Sequence, residues 1–474
     1  MEPAEFLGEV TQIVSRDQVF TDEQTLSDYT RDAVRHERWG LEAPRAPLAV
    51  VRPGSTAHVS EIMKLATRVG TPVVPYGAGT GVMGGAVSMD GGIVLDMGSM
   101  DKVLDISLED RLARVQPGVI LGELDKLAQV GGMFVGHDPW SQPVASVGGA
   151  VSTNGVGYMA AKYGTMGRQV LALEVVLPTG EVVRTRELPR NVSTGLDMTS
   201  LFIGTDGAFG VITEATIRLF PQPEERRHYA LEFPSFPSGF FAICRFATEG
   251  IIPAMVDFAE EEMTEEGGQA IEADAPGRSV LHMSLEGSSS MEVDALEGTI
   301  WEIVSNYSGK DLGPAEAQRF WEERHAAGER YADERGTGQR HPWREDGGGG
   351  FAYIHTAVPI SQVLNLRYQG IPLFQSEGFQ VKEVAIWGEP EMFSIIATDP
   401  GGSDRGREKM REVSDRFIDL ALEMGGTVEY CHGVGLRMKG AYGRELGAGG
   451  RELIRRLKTA LDPSGILNPG KLLD

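Results

Sequence analysis

Glycine constrains this chain more than any other residue. The 61 glycines among its 474 residues gather at 77–92, 118–164 and 204–210, with no repeat period. A residue without a Cβ takes up left-handed backbone freely and lets other atoms approach the main chain closely. Clusters of this kind between short apolar runs describe an α+β domain with many tight turns, whose backbone repeatedly comes close to something.

The runs between the clusters read as strands: Leu48–Val51, Ile93–Asp96, Leu112–Val115 and Leu171–Leu177. Over Thr56–Val69 the apolar residues Val59, Ile62, Met63, Ala66 and Val69 fall on one helical stripe, and the chain then enters Pro72-Val73-Val74-Pro75, a β–α–β pattern. The texture changes after Pro221-Gln222-Pro223-Glu224-Glu225, where longer helices, acidic stretches such as Glu260-Glu261-Glu262, and strand candidates Val381–Ile386 and Phe393–Thr398 follow. Gly347–Gly350 reads as a loop, either a lid or simply solvated surface. A last helix, Arg451–Leu461, stops at Asp462-Pro463-Ser464-Gly465. The length exceeds one ordinary domain. The expected division is residues 1–225, a second unit over 226–440, and a segment 441–474 that returns to the first.

Composition removes some classes of function. Lys plus Arg is 44 against 68 Asp plus Glu, a net charge of −24, which disfavours nucleic acid and anionic lipid and obliges an anionic substrate to find a local basic pocket. Two cysteines, Cys244 and Cys431, exclude a disulfide scaffold or a Cys-rich metal site and fit a reducing compartment. The first twenty residues lack the charged and apolar regions of a signal peptide, and no apolar run approaches a membrane span. The expectation is a cytoplasmic protein without a membrane span.

The strongest local motif is Pro75-Tyr76-Gly77-Ala78-Gly79-Thr80-Gly81. Successive glycines let N–H groups converge on an anion such as a pyrophosphate. The dinucleotide pattern G-x-G-x-x-G is absent, because position 82 is Val, and the P-loop Lys-Ser/Thr is missing. Further motifs follow in order: Gly136-His137-Asp138-Pro139-Trp140-Ser141, Ser146-Val147-Gly148-Gly149, Ser152-Thr153-Asn154-Gly155, and Asp206-Gly207-Ala208-Phe209-Gly210-Val211-Ile212.

At these residues the chain resembles the FAD-linked oxidases of the vanillyl-alcohol-oxidase (PCMH-type) superfamily. The resemblance runs from about Val51 to Pro223 and resumes at the C-terminus. It implies a PCMH-type FAD-binding domain of two α/β subdomains, and a substrate-binding cap domain with an antiparallel sheet and flanking helices. It implies that Pro75, Tyr76, Gly77, Ala78, Gly79, Thr80 and Gly81 hold the pyrophosphate. Pro139, Trp140, Ser141, Ser146, Gly148 and Gly149 would lie beside the ring and ribityl chain. Thr153, Asn154 and Gly155 would be further flavin contacts, with Asp206, Gly207, Gly210, Val211 and Ile212 on a strand at the flavin edge. Covalent members use a His in the first glycine-rich loop; Ala78 and Thr80 stand there instead, which implies non-covalent FAD.

Two branches of the superfamily compete. Phe320-Trp321-Glu322-Glu323-Arg324, Tyr353-Ile354-His355 and Asp462–Lys471 resemble the FAD-linked 2-hydroxyacid dehydrogenases, in which an Arg at the Arg324 position binds substrate carboxylate. Metal-using members of that branch carry His and Glu ligands where this chain has Trp387, Ser394 and Cys431, so no metal is expected. Gly136–Pro139, Pro189–Asp197 and His432–Arg437 look closer to alkyl-dihydroxyacetonephosphate synthase, a non-redox flavin enzyme of ether-lipid synthesis, although its His-His-His run is here Tyr430-Cys431-His432. Oxidation of C–OH requires a base, and His432 is the candidate, with Gly433 and Gly435 allowing close packing at a cofactor. Arg324 is the candidate carboxylate fork, and Tyr430 could line the pocket. The leading expectation is oxidation of a 2-hydroxyacid or related alcohol by hydride transfer to flavin N5. The electron acceptor (oxygen, a quinone or a protein) and a homodimeric assembly stay open.

Overall fold

The computed structural model describes residues 1–33, 44–186, 193, 195–261, 278–336, 351–402 and 404–473. Of the segments singled out in the sequence, Gly347–Gly350, Glu262 and most of Pro189–Thr194 lie outside the described residues.

Three sheets organise the chain. The first has the spatial order 19–20, 49–51, 93–96, 73–76, with parallel pairing of Ala49 and Val73 to Ile93. Its helix, Thr56–Val69, begins at Ser55, whose side chain accepts from His58 N, and ends at Gly70 with φ +72°. The expected stripe is buried at Val59, Ile62, Met63 and Ala66; Leu65 joins it, whereas Val69 is only partly covered. These side chains meet Phe6 and Val10 of the first helix and Val51, Ile93 and Leu95 of the sheet.

The second sheet is six-stranded and antiparallel, centred on the long strand Val211–Pro221, which pairs with 112–115, 170–176 and 133–135. The third has seven antiparallel strands in the order 310–311, 225–233, 279–287, 255–261, 380–387, 392–398, 351–357. Period-two alternation sorts its residues. Ile354, Phe393, Ile395, Val384 and Ile386 join the apolar core, where Phe393 meets Phe417 of helix Asp404–Glu423 and Phe236 of helix Phe236–Thr248. The intervening Tyr353, His355, Glu383, Trp387, Ser394 and Ile396 are therefore left for the opposite face.

The C-terminal segment returns to the first sheet. Val73 N donates to Ile466 O at 2.9 Å and Asn468 N to Val73 O at 2.8 Å. The helix before it is longer than expected, Lys439–Leu461, with a kink at Gly447 (φ +62°). No helix among the described residues is long and apolar enough to cross a membrane.

One ion pair lies wholly inside the seven-stranded unit: Arg367 Nη2 of helix Val363–Gln375 sits 2.8 Å from Glu260 Oε2, with both side chains at most 2% exposed. Replacing Arg367 with Met takes a cation away from the buried Glu260 carboxylate. A loss of about 3–5 kcal/mol is expected, read as a lowered midpoint for unfolding of this unit in urea.

Candidate active site

A large cavity opens between the first two sheets and the third, and glycine-rich segments wall it. Its lining includes Pro75 through Gly81, Pro139, Trp140, Ser141, Ser146, Gly148, Gly149, Thr153, Gly155, Asp206, Gly207, Gly210, Val211 and Ile212. These residues are scattered in sequence and converge because the loop after strand Val73–Tyr76, the helix Val147–Thr153 and the start of strand Val211–Pro221 all end at one place. Gly79 has φ +68°, and a Cβ there would lie 2.0 Å from the Tyr76 hydroxyl; a Cβ on Gly77 would lie 2.5 Å from Ser146 Oγ. Both residues line the cavity, and at both a side chain would collide with neighbouring protein atoms, so these positions require glycine. Other glycines serve packing: a Cβ on Gly148 would lie 2.6 Å from Pro117 Cβ, and one on Gly210 2.3 Å from Val175 Cγ1.

Asn154 does not line the cavity. It ends the helix in left-handed conformation (φ +51°), and its Oδ1 accepts from Gly167 N at 2.9 Å. Its short amide fits that turn, so its role is to shape the cradle from behind. Asp206 also differs from expectation. It sits in a turn (φ +50°) before the strand, which starts only at Val211. Its Oδ2 accepts from Gly435 N at 2.8 Å, and burial raises its carboxyl to about 6 despite that bond. Gly433 and Gly435 give room to the protein itself, since a Cβ on Gly435 would lie 2.1 Å from Met83 O.

A second cavity adjoins the first. Val82, Trp140, Tyr158, Trp387 and His432 line both, so they form the junction. Tyr158 stacks on Trp387 with centroids 5.6 Å apart. His432 Nδ1 lies 3.5 Å from Glu429 Oε1. Burial alone would lower this imidazole, but the Cys431 sulfur and the Glu429 carboxylate override it and raise it to about 10. Behind it, the His355 ring is 4.6 Å away. Burial, together with the charges of His432 and Arg437, holds His355 well below the ordinary imidazole range.

Tyr430 Oη lies 2.7 Å from Ser394 Oγ and 3.0 Å from His355 Nδ1, and Ser394 Oγ lies 2.8 Å from the same nitrogen. Tyr430 therefore belongs to a hydrogen-bonded cluster, and among the described residues it lines neither cavity. Among those residues no group of three or more His, Cys, Asp or Glu is placed to hold a metal ion.

Arg324 lines the second cavity, and part of its guanidinium is engaged with the protein: Nε donates to Asp138 Oδ2 at 2.9 Å and Nη1 to Trp321 O. His325 Nε2 lies 2.5 Å from the other oxygen of Asp138. Burial would raise the Asp138 carboxyl, yet His325 and Arg324 hold it below the ordinary range. The sequence reading missed His325, Tyr158, His137 and Arg437 as parts of this region. His137 lines the first cavity, its imidazole lowered to about 4 by burial, and among the described residues its Nδ1 has no hydrogen-bond partner. The glycine-rich stretch around Tyr158 and His137 was the available signal.

Comparison with known proteins settles the family. The profile described as FAD binding domain matches residues 47–186, and that described as FAD linked oxidases, C-terminal domain, matches 222–472. The chain belongs to the FAD-linked oxidase family. A probable mitochondrial D-lactate dehydrogenase of Danio rerio is 30% identical over 438 residues, covering 91% of this chain and 85% of that protein. The glycolate oxidase subunit GlcD of Bacillus subtilis (strain 168) is 29% identical, covering 90% and 89%. Solved structures with the same fold include alkyldihydroxyacetonephosphate synthase (TM-score 0.77, 20% identity, 99% of this chain and 86% of that one) and p-cresol methylhydroxylase (0.78, 19%, 99% and 97%).

This FAD-linked oxidoreductase accordingly has a PCMH-type FAD-binding domain joined to an antiparallel cap. Gly79→Ala forces a side chain into left-handed backbone and onto Tyr76. FAD affinity is expected to fall about tenfold or more, measured as flavin retained per protein after desalting. Gly440→Ala, where a Cβ meets nothing within 4 Å, should retain the full complement.

Proposed function

We propose that this FAD-linked oxidase oxidises a 2-hydroxyacid or related alcohol, with His432 receiving the hydroxyl proton. The observation that carries the reading is the position of His432 at the junction of the glycine cradle and the second cavity. Bound in the cradle, FAD supplies the hydride acceptor, N5. The residues that would hold it are Tyr76 to Gly81 at the pyrophosphate, Trp140 to Gly149 beside the ring and ribityl chain, and Thr153, Gly155 and Asp206 to Ile212 around the remainder. The cradle belongs to residues 1–225, the cap to about 226–440, and the returning tail to 441–474. The names of the D-lactate dehydrogenase and glycolate oxidase relatives support a hydroxyacid substrate.

His432 Nδ1 faces Glu429, so Nε2 is the nitrogen for the substrate hydroxyl. The chain holds this imidazole protonated at neutral pH, since its pKa is raised to about 10. A base must be neutral to accept a proton. The rate of flavin reduction should therefore rise with pH through the alkaline range toward about 10. Removing the carboxylate in Glu429→Gln should move that limb to lower pH. His432→Ala should slow reduction about 10²–10⁴-fold. Anaerobic stopped-flow bleaching with D- and L-2-hydroxyacids measures all three; unchanged reduction in His432→Ala would remove it from the proton path.

The non-redox synthase reading has less support here. The positions that would complete its His run hold Tyr430, committed to Ser394 and His355, and Cys431, whose sulfur lies 3.8 Å from Val156 O. That reading predicts fatty-alcohol exchange on an acyl-dihydroxyacetone phosphate with no acceptor consumed.

The first glycine loop presents no His, and the flavin is held without a covalent bond in this reading. Acid precipitation should leave the yellow colour in the supernatant. Colour in the pellet would point to His137, His432 or Cys431, which also line the cavity.

A further inference from the structure

His137 is a polar group of the first cavity that the oxidation reading leaves unused. It is 2% exposed and lines that cavity. Its Nδ1 is buried and, among the described residues, has no hydrogen-bond partner. The other edge of the ring looks onto Gly155, which is also on the cavity wall; a Cβ there would lie 3.3 Å from both Cε1 and Nε2. Glycine at 155 leaves that edge without a side chain in front of it.

The tautomer follows from this asymmetry. A neutral imidazole carries one N–H and one bare lone pair. An orphaned buried N–H is a rarer defect than an under-used acceptor, so the proton belongs on Nε2 and the lone pair on Nδ1. A cationic ring would put an N–H on Nδ1 as well, where no described residue receives it. Burial lowers the imidazole to about 4, and the Asp138 charge that opposes this is held by Arg324 and His325. His137 is thus a neutral donor whose N–H lies on the open edge. Other polar groups of the wall have partners of their own. Thr153 Oγ1 reaches Gly149 O at 3.2 Å, Asp206 takes Gly435 N at 2.8 Å, and Cys431 Sγ lies 3.8 Å from Val156 O.

Position decides which part of FAD this donor meets. Asp138 O accepts from Tyr158 N at 2.8 Å, and Tyr158 lines both cavities. His137 therefore stands at the end of the cradle nearer the second cavity. The loop Tyr76–Gly81 meets the other end of the helix Val147–Thr153, where a Cβ on Gly77 would lie 2.5 Å from Ser146 Oγ. The 7 residues of that helix set the two ends about 10 Å apart. With the pyrophosphate at Tyr76–Gly81, the flavin ring comes to the His137 end. The ring has hydrogen-bond acceptors on its pyrimidine half only, and that half gains negative charge on reduction, which a fixed donor stabilises.

We propose that His137 donates its Nε2–H to an acceptor on the pyrimidine half of the flavin ring and so holds the bound flavin at a more positive reduction potential. The proposal rests on the seating of FAD given above and not on the nature of the substrate.

The midpoint potential of the holoenzyme, read against a reference dye during gradual reduction, tests it without any substrate. His137→Leu should lower the potential by about 30 mV or more, which for a two-electron couple is a tenfold loss of preference for reduced over oxidised flavin. A Gln amide reaches about as far as Nε2, and an Asn amide only as far as Nδ1. His137→Gln should therefore recover most of the potential and His137→Asn should not. Should His137→Leu fail to retain flavin, the Gln and Asn variants decide the matter. A wild-type potential in His137→Leu overturns the proposal. The same potential with less FAD retained after desalting overturns it in favour of a bond to the pyrophosphate. Recovery in His137→Asn but not in His137→Gln overturns the tautomer. Because no hydroxyacid enters the measurement, a lowered potential in His137→Leu stands even if none bleaches the flavin, and a wild-type potential leaves the oxidation reading untouched.

Discussion

The turn at Asp206 is the interaction on which the site depends. Its main-chain N–H donates to Ser152 O at 2.9 Å, its carbonyl accepts from Asn468 Nδ2 at 2.6 Å, and its carboxylate accepts from Gly435 N at 2.8 Å. Asn468 Nδ2 also reaches Gly85 O at 2.8 Å, and Lys471 donates to Val87 O. One buried residue thus joins the helix behind the cradle, the loop after the first glycine cluster, the His432 segment and the C-terminal tail. A buried carboxylate is tolerated because its partners are fixed main-chain donors with Lys471 nearby. The geometry of the first cavity and the position of His432 are therefore set together.

The cap is tied to the cradle by a second buried acid. Asp138, in the loop before Trp140, takes Arg324 on one oxygen and His325 on the other. A few residues on, Tyr331 donates to Gly79 O at 3.3 Å, and Gly328 packs so closely on Trp140 O that a Cβ would lie 2.3 Å away. Arg324, read from sequence as a fork for substrate, thus gives part of its guanidinium to the protein while it lines the second cavity. A guanidinium beside a buried carboxylate is held there strongly, because separating the two would leave an uncompensated charge in low dielectric.

The glycine-rich lining of the cavity was legible in the sequence because glycines in close succession mark main chain that other atoms approach closely. The strands 93–96 and 112–115 and the helix 56–69 were legible for a related reason, since their periodicity is local. The junction was not. Tyr158 is an ordinary aromatic until Trp387, more than two hundred residues away, is brought against it by strand pairing. Asn154 and Asp206 were read as flavin contacts; Asp206 lines the cavity and Asn154 does not, and the positive φ of both shows in addition that each turns the chain. Gly433 and Gly435 carried the same ambiguity: close approach was correctly anticipated, but the approaching group is protein.

Charge gives the last connection. The chain carries −24 overall, a field that opposes an approaching anion. Salt screens exposed charges beyond about 8 Å at physiological ionic strength, so the distant acidic surface contributes little once a ligand has entered. Inside, the dielectric is lower and the nearest groups dominate. There His432 and Arg437 both line the second cavity, and burial lowers the Arg437 guanidinium to about 10 in spite of the carboxylates of Glu429 and Asp415. The same wall carries Glu323 and Glu383 beside Arg319, Arg324 and Arg330. The charge a ligand meets inside is therefore set by these neighbours rather than by the net charge of the chain, because different ranges of the same electrostatic interaction govern the two.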